Sequence, residues 1–330
     1  MHEERSGAPQ VGTDRPVALF VLGFGRSGTS ALARVLSLCG ATLPPKLLGA
    51  TKDNPRGFWE PRAAIHLNEA ILRSRGSSAY DLALRPEQSR SSTAADEASI
   101  ARIRSYFHAL PPARLVVIKE PKITALIELW FEGARRAGFD VAAVVAMRHP
   151  AEASASIEER ANRQNYVRSS LELGSAWWLK YTLLAERDTR DVPRVIVEFA
   201  NLLEDWRREV KRIGTALGVD LDSPDEAAID GFLSPGLRHH RHTGPITEPF
   251  GTDWVTTVYR QLAAAGRDEP WEQSVLDRVF DEYETTERGF RTAVDESRRY
   301  LNLNRLKPPP LVRVALEVLA LAHRRRGTWA

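Results

Sequence analysis

Four short stretches of the chain are apolar almost without a break and are bounded by polar or turn residues: Val17–Leu22, Leu115–Ile118, Val141–Ala146 and Arg194–Phe199. Runs of this length, without alternation of polar and apolar positions, predict strands buried on both faces, as in a parallel sheet. Between and after them apolar residues recur at helical spacing over Thr29–Cys39, Pro61–Arg73, Ala98–Ala109, Thr124–Ala137, Ala151–Arg163, Leu171–Asp188 and Leu202–Leu217. Strands alternating with helices predict an α/β fold of three layers, a central and mostly parallel sheet covered by helices.

Two stretches break the pattern. Arg75–Ala95, rich in Ser, Arg and Ala, is expected to be a long surface loop beside the ligand site, and the Gly-, Pro-, Thr- and His-rich Ser234–Gly251 a loop over the sheet. Helical spacing returns in Trp254–Gly266, Trp271–Arg288 and Pro310–Arg326, the last set off by Pro308, Pro309 and Pro310. The expected organisation is a polar, disordered segment 1–15, one domain over 16–305, and a helical C-terminal extension of it over 306–330. No internal repeat is present.

Composition narrows the function. With 330 residues and 43% hydrophobic content the chain can bury one large core. Its 46 Lys and Arg against 43 Asp and Glu leave a net charge of +3, which does not call for nucleic acid. Cys39 is the single cysteine, so no intramolecular disulfide or clustered-cysteine zinc site can form, and a reducing cytoplasm is expected. The first residues lack the apolar core of a secretory signal, and Leu311–Ala322, which carries Arg313 and Glu317, is shorter than the roughly 20 residues of a membrane span.

The chemistry concentrates where the first strand runs into Gly23-Phe24-Gly25-Arg26-Ser27-Gly28-Thr29-Ser30 and then into a helix. Strand, glycine turn and helix make a P-loop-like anion site, because small residues let backbone N–H groups and the helix N-terminus surround an oxyanion. Gly23, Gly25 and Gly28 fit the dinucleotide pattern G-x-G-x-x-G, and Gly23 and Gly28 have Walker A spacing. Thr29 stands where a Walker A loop carries its lysine, which argues against a nucleoside-triphosphate kinase. The stretch 43–57 is rich in Pro, Lys and Gly and strandless, where a dinucleotide-binding domain would place a second strand ending in an acid.

The run Arg26-Ser27-Gly28-Thr29-Ser30 resembles the 5′-phosphosulfate loop of sulfotransferases that use 3′-phosphoadenosine 5′-phosphosulfate (PAPS), in the Arg-Ser-Gly-Thr form of bacterial members. The resemblance implies that Gly25, Arg26, Ser27, Gly28, Thr29 and Ser30 hold the donor's 5′ side, with Arg26 also steadying the leaving group. A second signature follows the third strand: Arg148, then Pro150 where a helix would begin, and Ser156 eight residues after the arginine. In the family an Arg and a Ser so spaced grip the donor's 3′-phosphate; Ser154 is the fallback. Phe199-Ala200-Asn201-Leu202-Leu203 resembles a further family segment but lacks its acidic pair, so Ala200 and Asn201 are given no function.

Transfer also needs a base. Gly57-Phe58-Trp59-Glu60 resembles a stretch of bacterial sulfotransferases after the first helix, and its aromatics would desolvate Glu60, the first candidate; a solvated Glu ahead of a helix is the alternative. His66 is the second candidate. Lys119 in Lys119-Glu120-Pro121-Lys122 is expected to face the transferred group or the acceptor, or to be no more than a charged turn. Arg238-His239-His240-Arg241-His242 would line the nucleotide pocket or an anionic acceptor, since adjacent residues do not converge on one metal ion. No metal site is expected. The acceptor is expected to be a hydroxyl on a glycan, a lipid or a small natural product. The alternatives are a P-loop-type small-molecule kinase and a non-catalytic nucleotide-binding module. The Leu311–Ala322 stripe with Arg324, Arg325 and Arg326 is read as core packing, with peripheral membrane contact or a second subunit as the alternatives.

Overall fold

The computed structural model describes residues 15–305 apart from 52–53, 86–92, 164–169 and 234–244, together with residues 314, 318 and 321. The apolar runs become strands β1 (Val17–Leu22), β2 (Leu115–Lys119), β3 (Asp140–Met147) and β4 (Arg194–Glu198). They lie in the order β2-β1-β3-β4 with every pairing parallel, so their carboxyl ends share one edge. Phe20 of β1 stands level with Ile118 of β2 and Ala143 of β3.

Helices make the crossovers. β1 is followed by α1 (Thr29–Leu38), α2 (Arg62–Ser74) and α3 (Thr93–His108). A 3₁₀ helix, Pro121–Leu126, and α4 (Ile127–Arg136) lead from β2 to β3, and α5 (Pro150–Arg163) and α6 (Leu171–Arg187) from β3 to β4. Then come α7 (Phe199–Glu204), α8 (Trp206–Leu217), α9 (Glu226–Phe232), α10 (Trp254–Ala265) and α11 (Gln273–Arg305). Two compact units divide the chain, residues 1–280 and 281–330, and the sheet and the site described below belong to the first.

Strand alternation fills both sides of the sheet. Leu19 and Val21 face Leu32, Val35 and Leu36 of α1 and Ile213 and Leu217 of α8. Phe20 points the other way, into Phe107, Trp130 and Phe131, with ring centroids 5.3–6.4 Å apart. These rings are buried, and edge-to-face packing of this kind adds to the area they remove from water.

Boundaries differ from the sequence pattern where local hydrogen bonding overrides apolar spacing. The helix expected over Leu202–Leu217 breaks at Asp205, whose extended backbone (φ −151°) lets its side chain accept from the Arg208 N–H and cap α8. The helix expected from Thr124 starts as 3₁₀ at Pro121, and α3 begins at Thr93, inside the stretch read as loop. No signal pointed to α9, whose first turn is capped by Asp225. Of Pro310–Arg326 the described residues are Val314, Val318 and Leu321, which are helical and exposed. Among the described residues no helix is long and apolar enough to cross a membrane.

The described part of the Arg75–Ala95 loop is fastened to α6. Tyr181 Oη donates to the Ala79 carbonyl at 2.9 Å, Trp177 Nε1 to that of Tyr80 at 3.0 Å, and Lys180 Nζ to that of Asp81 at 2.7 Å. Arg85 closes the loop on Asp188 at 2.8 Å. Burial pushes the Asp188 carboxyl up from 3.8 to about 6, and the Arg85 charge offsets only part of that. A carboxyl raised in the folded state contributes stability that is fully present below its unfolded value and lost as pH rises through the folded one. Urea denaturation between pH 4 and 6.5 should therefore show stability falling by up to about 1.4 kcal/mol per pH unit from this group, a slope that Asp188→Asn removes. An unchanged slope in that variant would exclude Asp188 as the source.

Candidate active site

The glycine loop between β1 and α1 passes so close to its neighbours that side chains are excluded at two points. Gly23 has φ +116°, and a Cβ there would lie 2.3 Å from the Ala146 carbonyl oxygen of β3. Gly28 has φ +84°, and its Cβ would lie 2.3 Å from the Phe199 ring. Gly25 instead faces open space. The Gly23 N–H is taken by Thr124 Oγ1 at 3.1 Å and the Ser27 N–H by the Phe24 carbonyl at 3.1 Å. Arg26 is held at φ +76°, a left-handed conformation that costs a non-glycine residue roughly 1–3 kcal/mol.

α1 begins at Thr29 with Gly28 as its N-cap, so no side chain caps its first turn. Ser27 is buried, and its Oγ has no hydrogen-bond partner among the described residues. A helix N-terminus without a side-chain cap, a buried unpartnered hydroxyl and a glycine open to solvent fit an oxyanion ligand.

Arg148 follows the last residue of β3 and is buried. Its Nε donates to Glu152 Oε2 at 3.0 Å and its Nη1 to the Arg26 carbonyl at 3.3 Å, while its guanidinium lies 5.3 Å from the centre of the Phe199 ring. Trp178 Nε1 donates to the Arg148 carbonyl at 3.1 Å. Ser156 lies on the same face of α5 as Glu152, one turn on, and its Oγ accepts from Arg26 Nε at 2.9 Å. The two sequence signatures therefore meet through Arg26 of the first, whose main chain binds Arg148 and whose side chain binds Ser156 of the second. Ser154 is elsewhere: its hydroxyl packs against Gly174 of α6, where an added Cβ would stand 3.1 Å from it.

On the other side of α1, Lys119 ends β2 and is 2% exposed. Its Nζ donates to Glu60 Oε1 at 2.5 Å, to Ser30 Oγ at 3.1 Å and to the Phe58 carbonyl at 3.2 Å. An ammonium has three donors, so Lys119 is fully engaged by protein and acts as a strut between α1 and the Phe58–Glu60 segment. Trp59 between them is left-handed at φ +58°, with Arg34 stacked 4.6 Å from its ring centre. His66 lies on the exposed face of α2, and among the described residues no hydrogen bond joins it to the loop. The run Arg238–His242 lies outside the described residues.

Sequence reasoning missed three contributors. Phe199 packs on both Gly28 and Arg148; its place at a strand end, opening a family-like segment, was the signal that could have found it. Thr124 anchors the first loop N–H. Glu120, 1% exposed, accepts from Asn68 Nδ2 at 2.5 Å and Lys122 Nζ at 2.8 Å. Burial pushes its carboxyl up, against the pull of Lys122.

Residues 16–223 match the model of the sulfotransferase family. The chain belongs to that family. Every residue of the arrangement described above lies within the matched span. Among solved structures, a sulfotransferase domain from the curacin biosynthetic pathway is 14% identical, covering 79% of this chain and 100% of its own, with a TM-score of 0.43. A sulfotransferase domain from the Synechococcus PCC 7002 olefin synthase is 19% identical, covering 84% and 98%, with a TM-score of 0.37. No curated protein matches.

The close approach at Gly28 makes a testable statement about this sulfotransferase. Gly28→Ala should cost about 2–5 kcal/mol in urea denaturation, from overpacking plus the left-handed backbone. In a Phe199→Ala background the cost should shrink towards the backbone part alone, and equal costs in both backgrounds would exclude the steric account.

Proposed function

We propose that the chain transfers a sulfuryl group from PAPS to a hydroxyl of a glycan, a lipid or a small natural product. The observation that carries this reading is the pairing of two arginines from neighbouring strand ends, Arg26 after β1 and Arg148 after β3, bridged through the Arg26 carbonyl and Ser156. Two cations at neighbouring strand ends suit a ligand with phosphate groups at two positions. A nucleoside with a single phosphate would use one of them.

PAPS, when bound, supplies an activated sulfuryl group on a 5′-phosphate. Around it Thr29, Ser30 and the first N–H groups of α1 would hold the 5′ side, with Ser27 as a further donor, and Arg26 would offset charge growing on the leaving phosphate oxygen. Arg148 would grip the 3′-phosphate. Glu152 holds its Nε and Phe199 lies against its plane, so the fork is oriented before any ligand arrives. Glu60 would take the acceptor proton on Oε2, because Oε1 is occupied by Lys119. No metal is needed in this scheme, since the protein's own cations meet the developing charge.

Isothermal calorimetry with adenosine 3′,5′-bisphosphate tests the donor assignment, with AMP as control. The bisphosphate should bind far more tightly than AMP. Because Glu152 is 2% exposed, Arg148→Ala alone would strand a buried carboxylate, so the informative variant is Arg148→Ala with Glu152→Gln. It should lose about a hundredfold in bisphosphate affinity while AMP changes little. Equal binding of the two ligands, or tighter binding of ATP with Mg²⁺, would move the assignment to a kinase.

Glu60 has its own test in the slow hydrolysis of PAPS, where water replaces the acceptor. Glu60→Gln should lower kcat by about 10²–10⁴ and leave bisphosphate affinity unchanged. A kcat within twofold of wild type would return the role of base to another residue.

A further inference from the structure

Lys119 and Glu120 are consecutive, and the backbone stays extended through Glu120 (φ −157°, ψ 120°), so their side chains leave opposite faces of the edge strand β2. Lys119 turns to the side of α1, where it meets Ser30, the Phe58 carbonyl and Glu60. Glu120 turns to the side of α4, where it meets Asn68, and Asn68 Oδ1 in turn accepts from Trp130 Nε1 at 2.8 Å. That second bond fixes which way the amide points, so its NH₂ faces the carboxylate.

Both partners belong to one piece of chain. Glu60 stands two residues ahead of α2, and Asn68 lies within it, about 9 Å beyond the helix's first residue at 1.5 Å per residue. α2 and the turn before it are thus held from the two faces of one strand by two adjacent residues, and Lys122, paired with Glu120, adds a tie to Glu69 at 3.3 Å. A single hydrogen-bonded contact would let the helix pivot, whereas two fix its position and its rotation.

We propose that Glu120 and Asn68 are positioning residues, which hold α2 against the end of β2 so that Lys119 presents Glu60 to the glycine loop. Burial argues for this. Even with Lys122 at 2.8 Å, a carboxylate this deeply desolvated is a costly way to fill space beside Trp130, and replacing such a pair by apolar residues of similar volume often leaves a fold as stable. Glu120 and Asn68 are 1% and 0% exposed, so neither can touch a ligand, and what their polarity adds is a fixed direction. The proposal rests on the reading of Glu60 as base only for its functional consequence; the brace itself is tested without donor or acceptor.

The test is acetylation of the full chain by acetic anhydride, followed lysine by lysine by mass spectrometry, in wild type, Asn68→Leu, Glu120→Ala and Glu120→Gln. In wild type Lys119 should react slowly, since its Nζ is buried and fully hydrogen-bonded. In Asn68→Leu and Glu120→Ala it should react at least about tenfold faster, while Lys180, equally buried but bonded to the Asp81 carbonyl, stays slow. Glu120→Gln keeps an acceptor for Asn68 and should remain close to wild type. Unchanged Lys119 reactivity in both disrupting variants overturns the proposal, and so does Lys180 rising in step with Lys119, which would mark general loosening.

The consequence for chemistry is read on PAPS hydrolysis. In the disrupting variants kcat should fall about tenfold with KM for PAPS within twofold, because the base is misplaced while Arg26, Arg148 and Ser156 keep their contacts with one another. A fall in which KM rises by the same factor overturns it. If adenosine 3′,5′-bisphosphate fails to bind even wild type, the donor assignment is lost, yet the acetylation pattern still decides whether the brace exists.

Discussion

The site depends on how narrowly the β1–α1 loop is threaded between its neighbours. At Gly23 the loop touches the β3 backbone, and at Gly28 it touches the ring at the start of α7. Between these contacts Gly25 faces open space, and Arg26 is left in a left-handed backbone conformation that is costly for an arginine. The surroundings here are specific: Arg148 donates to the Arg26 carbonyl, and Ser156 receives the Arg26 side chain. The strain at Arg26 is held by the same contacts that join the loop to the end of β3, so the loop's shape and the placing of the second arginine are one structural event.

Around this loop the charges are arranged as two buried groups on either side of α1. Lys119 with Glu60 lies towards the β2 edge, and Arg148 with Glu152 lies towards β3 and α5. Ion pairs this deeply buried rarely stabilise a fold more than apolar packing would, because each charge has lost its water. Their value lies in direction. Each pair holds one member in a fixed orientation at the carboxyl edge of the sheet, where open α/β folds bind ligands.

The strands were legible because a parallel sheet buried on both faces demands uninterrupted apolar runs, and Val17–Leu22 and Val141–Ala146 contain nothing else. The loop was legible because glycines, hydroxyls and an arginine crowd into eight consecutive residues between a strand and a helix. What could not be read are contacts between residues far apart in the chain. Asn68 looks like an ordinary polar residue of an amphipathic helix until β2 brings Glu120 to it, 52 positions on. Phe199 looks like the last apolar residue of a strand until Gly28 is placed under its ring. The break at Asp205 is a subtler case, since an aspartate within a helical apolar pattern signals a cap only if its backbone is extended, and spacing carries no backbone angle.

Arg26 shows why the identity of a cation matters here beyond its charge. A lysine at this position would supply a positive point and three donors on one nitrogen. The arginine instead divides its work along a planar group: Nε is bound to Ser156, while the guanidinium carries its charge further out on the Nη nitrogens. Anchoring through Nε sets the orientation of the whole plane, and the anchor sits on the helix whose first turn also carries Glu152, the partner of Arg148. The two arginines are therefore both anchored on α5, and the helix that begins at Pro150 orients both guanidinium planes.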